Sequence, residues 1–177
     1  MNGTIRELSA DEVTSLVLPL RVDTLHRELH WVHHEVRGAE SLRDRFDATS
    51  IHLGFFGDAG FAGTFRLVVC DDVFDLPSGP HLAAVQRFGG RCAEISKLVV
   101  DAGFRNRGVR TGLIAEAFIR AAAVGVKHLF VGATSEFAYY LQRGFAAVGE
   151  LFQFTDEHVT PPKLSQMFLI DPSRAQG

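Results

Sequence analysis

The chain has 177 residues, a length that suits one domain built around one core. Hydrophobic residues make up 46% and charged residues 22%, the balance of a globular chain and not of a disordered or fibrous one. A formal net charge of −3 gives no bulk-charge case for nucleic acid or an anionic membrane as partner. The two cysteines, Cys70 and Cys92, form no CxxC pair, so a zinc site or a thioredoxin-like motif has no support, and buried or free thiols are expected. Met1 to Glu12 lacks the basic start and apolar run of a signal peptide, and no apolar stretch is long enough to span a bilayer. A cytoplasmic protein is expected.

In chain order, Thr4 to Leu8 alternates weakly and predicts a strand. Ser9-Ala-Asp-Glu12 fits a capping box opening a helical region over Ala10 to Trp31, with Leu16, Leu20, Leu25 and Leu29 at near-helical spacing and a break expected near Pro19. His33 to Thr49 is polar and reads as loop. Ser50 to Phe56 and Phe61 to Val69 form a hairpin around the turn Gly57-Asp-Ala-Gly60. Asp71 to Arg91 is a long connection of the kind that is often functional, with a helical turn placed at Leu82 to Phe88. Strands follow at Ala93–Asp101 and Lys127–Ala133, with a helix over Gly108–Val124 between them, its face marked by Leu113, Ala117, Phe118 and Ala121. A short helix over Ser135–Gln142 ends at Gly144. Phe145–Phe154 and Lys163–Ile170 close the chain as two strands, and the tail after Pro172 is expected to fray. The order predicts an α/β layered domain, a mixed sheet with helices on both faces.

The most informative segment runs from Leu98 through Arg105-Asn-Arg-Gly108-Val-Arg-Thr-Gly112. A strand enters a tight basic turn, and the turn opens a helix. A helix start presents unpaired N–H groups and the positive end of the dipole, which suits a pyrophosphate. Gly108 permits close approach of the backbone, and Arg105, Arg107 and Arg110 add charge. A surface loop with solvated arginines fits the same residues.

This segment resembles motif A of the GNAT acyltransferase superfamily, [Q/R]-x-x-G-x-[G/A], with Arg105 and Gly108 in place and Arg110 where Gly or Ala is usual. Phe137-Ala-Tyr-Tyr140-Leu-Gln-Arg-Gly144-Phe145 resembles the family's later aromatic-Tyr and Gly-Phe motif. The resemblance implies a GNAT-like mixed, mostly antiparallel twisted sheet of about seven strands, with one acyltransferase domain over residues 1–172 and a tail over 173–177. It implies coenzyme A, or the phosphopantetheine of an acyl carrier protein, bound by Leu98, Val99, Val100, Arg105, Asn106, Arg107, Gly108, Val109, Arg110, Thr111 and Gly112. The arm would lie between splayed strands, with a main-chain N–H near Val100 polarising the thioester carbonyl and Tyr140 protonating the leaving thiolate. A packing tyrosine is the bland alternative.

The N-terminal half resembles a narrower group, the acyl-homoserine lactone synthases and long-chain N-acyl amino acid synthases. Arg21, Leu29 and Trp31 match their R-x-x-x-F-x-x-R-L-x-W, with Leu25 and Glu28 departing from it. Asp44-Arg-Phe46-Asp47 resembles D-x-[FY]-D, Arg66 stands where a hairpin strand carries Arg, and Glu94-Ile-Ser96-Lys97 resembles E-x-S-R. The implied reaction moves an acyl group from a thioester to a small amine such as an amino acid. Glu94 would be the general base, and Arg21, Trp31, Asp44, Asp47, Arg66 and Lys97 would be the substrate-binding set. The 15 phenylalanines fit core packing, and some of them fit an acyl pocket; composition does not separate the two. Plain structural roles also fit: a strand-edge ion pair for Glu94 and Lys97, turn capping for Asp44 and Asp47, a helix-end anchor for Arg21 and Trp31. His26, His30 and His34 share a helix face without the zinc H-E-x-x-H order, and no metal is expected. A small amine is the expected partner, an acyl carrier protein a further one, with no nucleic acid or membrane; the oligomeric state stays open. The alternatives are an ordinary acetyl-coenzyme A acetyltransferase and a degenerate acyl-thioester-binding module.

Overall fold

The computed structural model describes residues 2–30, 39–85, 88–154 and 163–174. Seven strands form one mixed sheet in the order β1-β2-β3-β4-β5-β7-β6. They are β1 (Gly3–Glu7), β2 (Ile51–Gly57), β3 (Gly60–Cys70), β4 (Cys92–Val100), β5 (His128–Ala133), β6 (Ala146–Phe154) and β7 (Lys163–Ile170). Strand β5 lies parallel to β4 and antiparallel to β7, and the pairs β1·β2, β2·β3 and β6·β7 are antiparallel. The residues fall into two compact units, Met1–Leu67 with Lys97–Glu116, and Val68–Ser96 with Ala117–Thr155 and Pro162–Gly177.

In the first unit, Ser9 caps α1 (Ala10–Glu12) through the complete capping box expected from the sequence. The Arg6 guanidinium and the Ser9 N–H hold the Glu12 carboxyl down at about 2. The helical run then continues through π turns at Val13–Val17 and Val22–Glu28, with α2 (Leu18–Arg21) between them. A break at Pro19 was expected, yet the run passes through it. Pro19 is the second residue of α2, directly after a π turn, and the wider turns account for leucine spacings of four, five and four. Leu20, Val22 and Leu25 from this run bury with Leu42 and Val99.

In the second unit, the connection from β3 to β4 folds into α3 (Gly79–Val85), which starts three residues before the expected helical turn. Gly79 is required there by a close backbone approach: a Cβ would lie 2.4 Å from the Phe74 carbonyl oxygen. The core of this unit gathers Leu76, Leu82, Ala93, Leu129, Phe130 and Phe168, none more than 1% exposed. Burying each of these leucines and phenylalanines contributes about 1.5–3 kcal/mol. The helix α4 (Val109–Ala123) buries Leu113, Ala117 and Ala121 as expected, and Ile114 as well, while Phe118 is half-buried. Helix α5 (Phe137–Leu141) is followed by Gly144 in the left-handed region. After β7, Pro172–Arg174 form a further helical turn where fraying was expected.

Two features of β4 set up the site. Its ladder to β5 runs from Cys92–His128 to Ile95–Val131 and ends there. Lys97, two residues on, has φ +52° within the strand. The left-handed conformation costs a residue with a Cβ about 1–2 kcal/mol. Such points in strands mark local irregularities that re-aim neighbouring side chains, and they concentrate beside functional sites.

Candidate active site

Glu94 lies one residue before the last paired position of β4 and is 4% exposed. Burying a carboxylate is costly unless its oxygens are hydrogen-bonded. Ser78 meets that need twice, donating from its backbone N–H to Oε2 at 2.9 Å and from its hydroxyl to Oε1 at 3.0 Å. Ser78 is itself buried, and its carbonyl accepts from the N–H groups of His81 and Leu82 at the start of α3.

Tyr140, on α5, is 6% exposed. Its ring stacks on Phe168 at 5.3 Å and meets Phe145 edge-on at 5.6 Å. Register places these groups relative to Glu94. Ile95, Val131 and Phe168 are partners across β4, β5 and β7, and so are Glu94, Phe130 and Leu169. Partners share a face and neighbours along a strand alternate. Tyr140 therefore sits over one face of this layer, and Glu94 points from the other.

In the first unit, Arg21, Asp44, Asp47 and Arg66 come together in a buried network. Nη1 of Arg21 donates to both Asp47 oxygens at 2.9 Å. Nη1 of Arg66 donates to Asp47 at 3.0 Å and also bonds Asp44, while its Nη2 donates to Asp44 at 2.8 Å. The two aspartates cap their turn as well, Asp47 accepting from the Asp44 N–H and Asp44 from the Phe46 N–H. His52, which bonds the Asp47 carbonyl through Nε2 at 3.0 Å, completes the cluster. Among the described residues, Nε and Nη2 of Arg21 and Nδ1 of His52 are buried without a partner. Burial works against the Asp47 charge, but Arg21 and the hydrogen bond from Asp44 outweigh it, and its pKa is lowered. Burial, with the charges of Arg21 and Arg66, also lowers His52. Of the four charged side chains only Asp44, at 12%, retains noticeable exposure. Lys97 is half-buried in the strained stretch of β4, and Trp31 lies outside the described residues.

The basic loop enters α4 as expected. Asp101 caps its first turn by accepting from the Gly103 N–H, Asn106 has φ +58°, and Gly108 has φ +84°. A Cβ at Gly108 would meet nothing within 4 Å, so the space over this exposed turn is open, and Val109, Arg110 and Thr111 form the first turn of α4. The first N–H groups of a helix have no partner within it, so loop and helix start fit a phosphate group. The Arg105 guanidinium faces elsewhere. Its Nε donates to the Val100 carbonyl at 3.2 Å and its Nη2 to Glu28 at 2.6 Å, so this arginine braces the loop against the helical run. That hydrogen bond lowers the Glu28 pKa.

No protein-family model and no curated protein sequence matches the chain. Solved structures do. An N-acyl amino acid synthase from uncultured soil microbes superposes with a TM-score of 0.72 at 17% identity, over 98% of this chain and 93% of that one. The chain has the GNAT fold. A coenzyme A-dependent acyl-homoserine lactone synthase, solved with SAM and isopentyl-CoA, gives 0.69 at 18% identity, over 98% and 86%. A polyamine N-acetyltransferase from Drosophila melanogaster gives 0.66 at 15%, over 96% and 100%. At these identities the likeness establishes the fold.

Within that frame, three residues escaped the sequence reading as parts of a site. Ser78 carried only a generic Pro-Ser-Gly-Pro turn signal. His52, a polar residue inside the apolar β2 run, was the one visible anomaly. Glu28 stood out as a departure from a motif, and its partner Arg105 lies 77 positions away. No described helix is long and apolar enough to cross a membrane. The thiols are shielded: burial first, then Cys92 and Asp75, push Cys70 up to about 12. Iodoacetamide at mildly alkaline pH should therefore label the folded protein at least about a hundredfold more slowly than the urea-unfolded chain, because the thiolate is the reactive form. Equal rates in the two states would contradict this shielding.

Proposed function

We propose that residues 1–172 form one N-acyltransferase domain that moves an acyl group from a thioester to the amine of a small molecule such as an amino acid, in the cytoplasm. The observation that carries this reading is Glu94, a buried carboxylate with both oxygens oriented, placed where the β4–β5 ladder ends.

In the proposed reaction the amine nitrogen attacks the thioester carbonyl carbon, and Glu94 accepts the proton that the nitrogen loses, directly or through water. A C–N bond forms. Collapse of the tetrahedral intermediate breaks the C–S bond, and Tyr140 gives its proton to the departing sulfur. The products are an amide and a free thiol. The donor is coenzyme A, or the phosphopantetheine of an acyl carrier protein. Its phosphates would rest on the backbone of residues 105–112 with Arg107 and Arg110 close by, and its arm would follow Leu98, Val99 and Val100, whose main chain supplies the oxyanion contact. On the acceptor side, Asp44 is the member of the buried network exposed enough to meet an ammonium group. Arg21, Asp47 and Arg66 hold it in place, and Lys97 and Trp31 are proposed as further substrate-binding residues.

The test is thiol release from acetyl-, octanoyl- and palmitoyl-thioesters of coenzyme A and of carrier protein, each with a panel of amino acids and polyamines. Release confined to the longer donors supports the proposal. Release confined to acetyl-coenzyme A sinks the longer-chain form and favours an ordinary acetyltransferase, the reading supported by full coverage of the polyamine enzyme. Donor binding without release under any acceptor identifies a thioester-binding module instead.

A further inference from the structure

Ser78 meets Glu94 through two separate donors and has no role in the proposed reaction as stated. It lies 16 residues before Glu94 in the chain, and it donates to both oxygens of that one carboxylate from two different atoms. Two donors fixed on one residue define the carboxylate's plane. In both bonds an oxygen of Glu94 accepts, and hydrogen bonds donated to a carboxylate favour its ionised form. Ser78 is held in turn. Its carbonyl anchors the first turn of α3, and Gly79 beside it packs against the Phe74 carbonyl too closely for any side chain.

We propose that Ser78 is a positioning residue for acyl transfer, keeping Glu94 ionised and aimed so that it can take a proton from the attacking amine. The inference rests on the reading of Glu94 as general base, and it adds the group that prepares the base. A loop anchor that merely tied residues 71–91 to β4 would change stability when removed and leave the titration of Glu94 alone.

The experiment measures that titration directly. Infrared spectra of the carboxyl region, taken across pH with the Glu94→Gln protein subtracted, give the protonation midpoint of Glu94. Ser78→Ala should raise the midpoint by about one pH unit or more. Ser78→Cys, a weaker donor of similar size, should raise it by less, and Ser78→Thr should leave it unchanged. The acid limb of thiol release from octanoyl-coenzyme A, with mixed amino acids as acceptors, should move by the same amount, with kcat lowered and KM for the donor unchanged. An unmoved midpoint in Ser78→Ala overturns the proposal. Should that variant fail to fold, an unmoved midpoint in Ser78→Cys does the same. If Glu94→Gln leaves thiol release intact, the base reading fails and the proposal with it; if Glu94→Gln is slow while the Ser78 variants match wild type, only the role of Ser78 fails.

Discussion

Replacing Asp47 with alanine should destabilise the protein by about 3–5 kcal/mol, the range seen when one member of a buried ion pair is removed. The reason lies in what remains. Arg21 and Arg66 are each 1% exposed, and both donate to Asp47. Without it Arg21 loses its salt-bridge partner among the described residues, and two guanidinium groups face each other in a medium that screens poorly. Urea unfolding followed by circular dichroism measures the loss. Asp44→Ala should cost less, because its carboxylate is partly solvated and Arg66 keeps Asp47. The double replacement Arg21→Met with Asp47→Leu should recover part of the loss, since it removes charge from both sides. A loss below about 1 kcal/mol for Asp47→Ala, the scale of an exposed pair, would show that the network is solvated and not buried.

The same cluster sets a pH dependence. The His52 pKa is lowered from 6.5 in the folded protein, so the unfolded chain binds a proton first as pH falls. Its contribution to stability is complete above 6.5 and is lost as pH drops below that toward the folded value. The Asp47 pKa is lowered from 3.8, so its contribution is complete above 3.8 and is lost as pH falls through the folded value. Acid should therefore weaken the protein in two stages, the first of them absent from a His52→Gln protein.

Glu94→Gln should slow acyl transfer by about 10²–10⁴, the usual contribution of a positioned general base, while KM for the thioester changes little. The substitution keeps the shape of the side chain and one acceptor oxygen. Its amide NH2 cannot accept, so one of the two Ser78 donors loses its partner, at a cost of about 1–3 kcal/mol. Stability and rate therefore have to be measured on the same preparation, with the rate taken well below the unfolding transition. A rate indistinguishable from wild type would remove Glu94 from the chemistry.

Much of the fold was legible because its signals are local. Apolar runs, turn signals and, at Thr4–Leu8, weak alternation located every described strand, Lys163–Ile170 to the residue, and the Ser9–Glu12 capping box located the first helix start. The glycines at 60, 108 and 144 marked turns that adopt positive φ. What escaped is long-range. Nothing near Ser78 signals that its hydroxyl meets a carboxylate 16 residues on, and nothing near Glu28 points to Arg105. Asp44, Asp47, Arg21 and Arg66 were legible as a set, but not their turning toward one another, since only tertiary burial makes that pairing favourable. The strain at Lys97 was hidden for a different reason. Lysine has no preference for the left-handed region, so the residue there is chosen by the surrounding strand and not by its own propensity.

The placement of Tyr140 over one face of the β4–β5–β7 layer and of Glu94 on the other bears on how the proposed catalytic cycle resets. Each turnover leaves Glu94 with one proton too many and Tyr140 with one too few. Were the two groups neighbours, the surplus could pass straight to the deficit. The two groups lie on opposite faces of the layer, so in the proposed cycle they would meet only across the thioester held where the β4–β5 ladder ends, and each would exchange its proton with water from its own side. The enzyme would then run on two separate proton traffic routes, one outgoing and one incoming, which share only the acyl group that crosses from donor to acceptor.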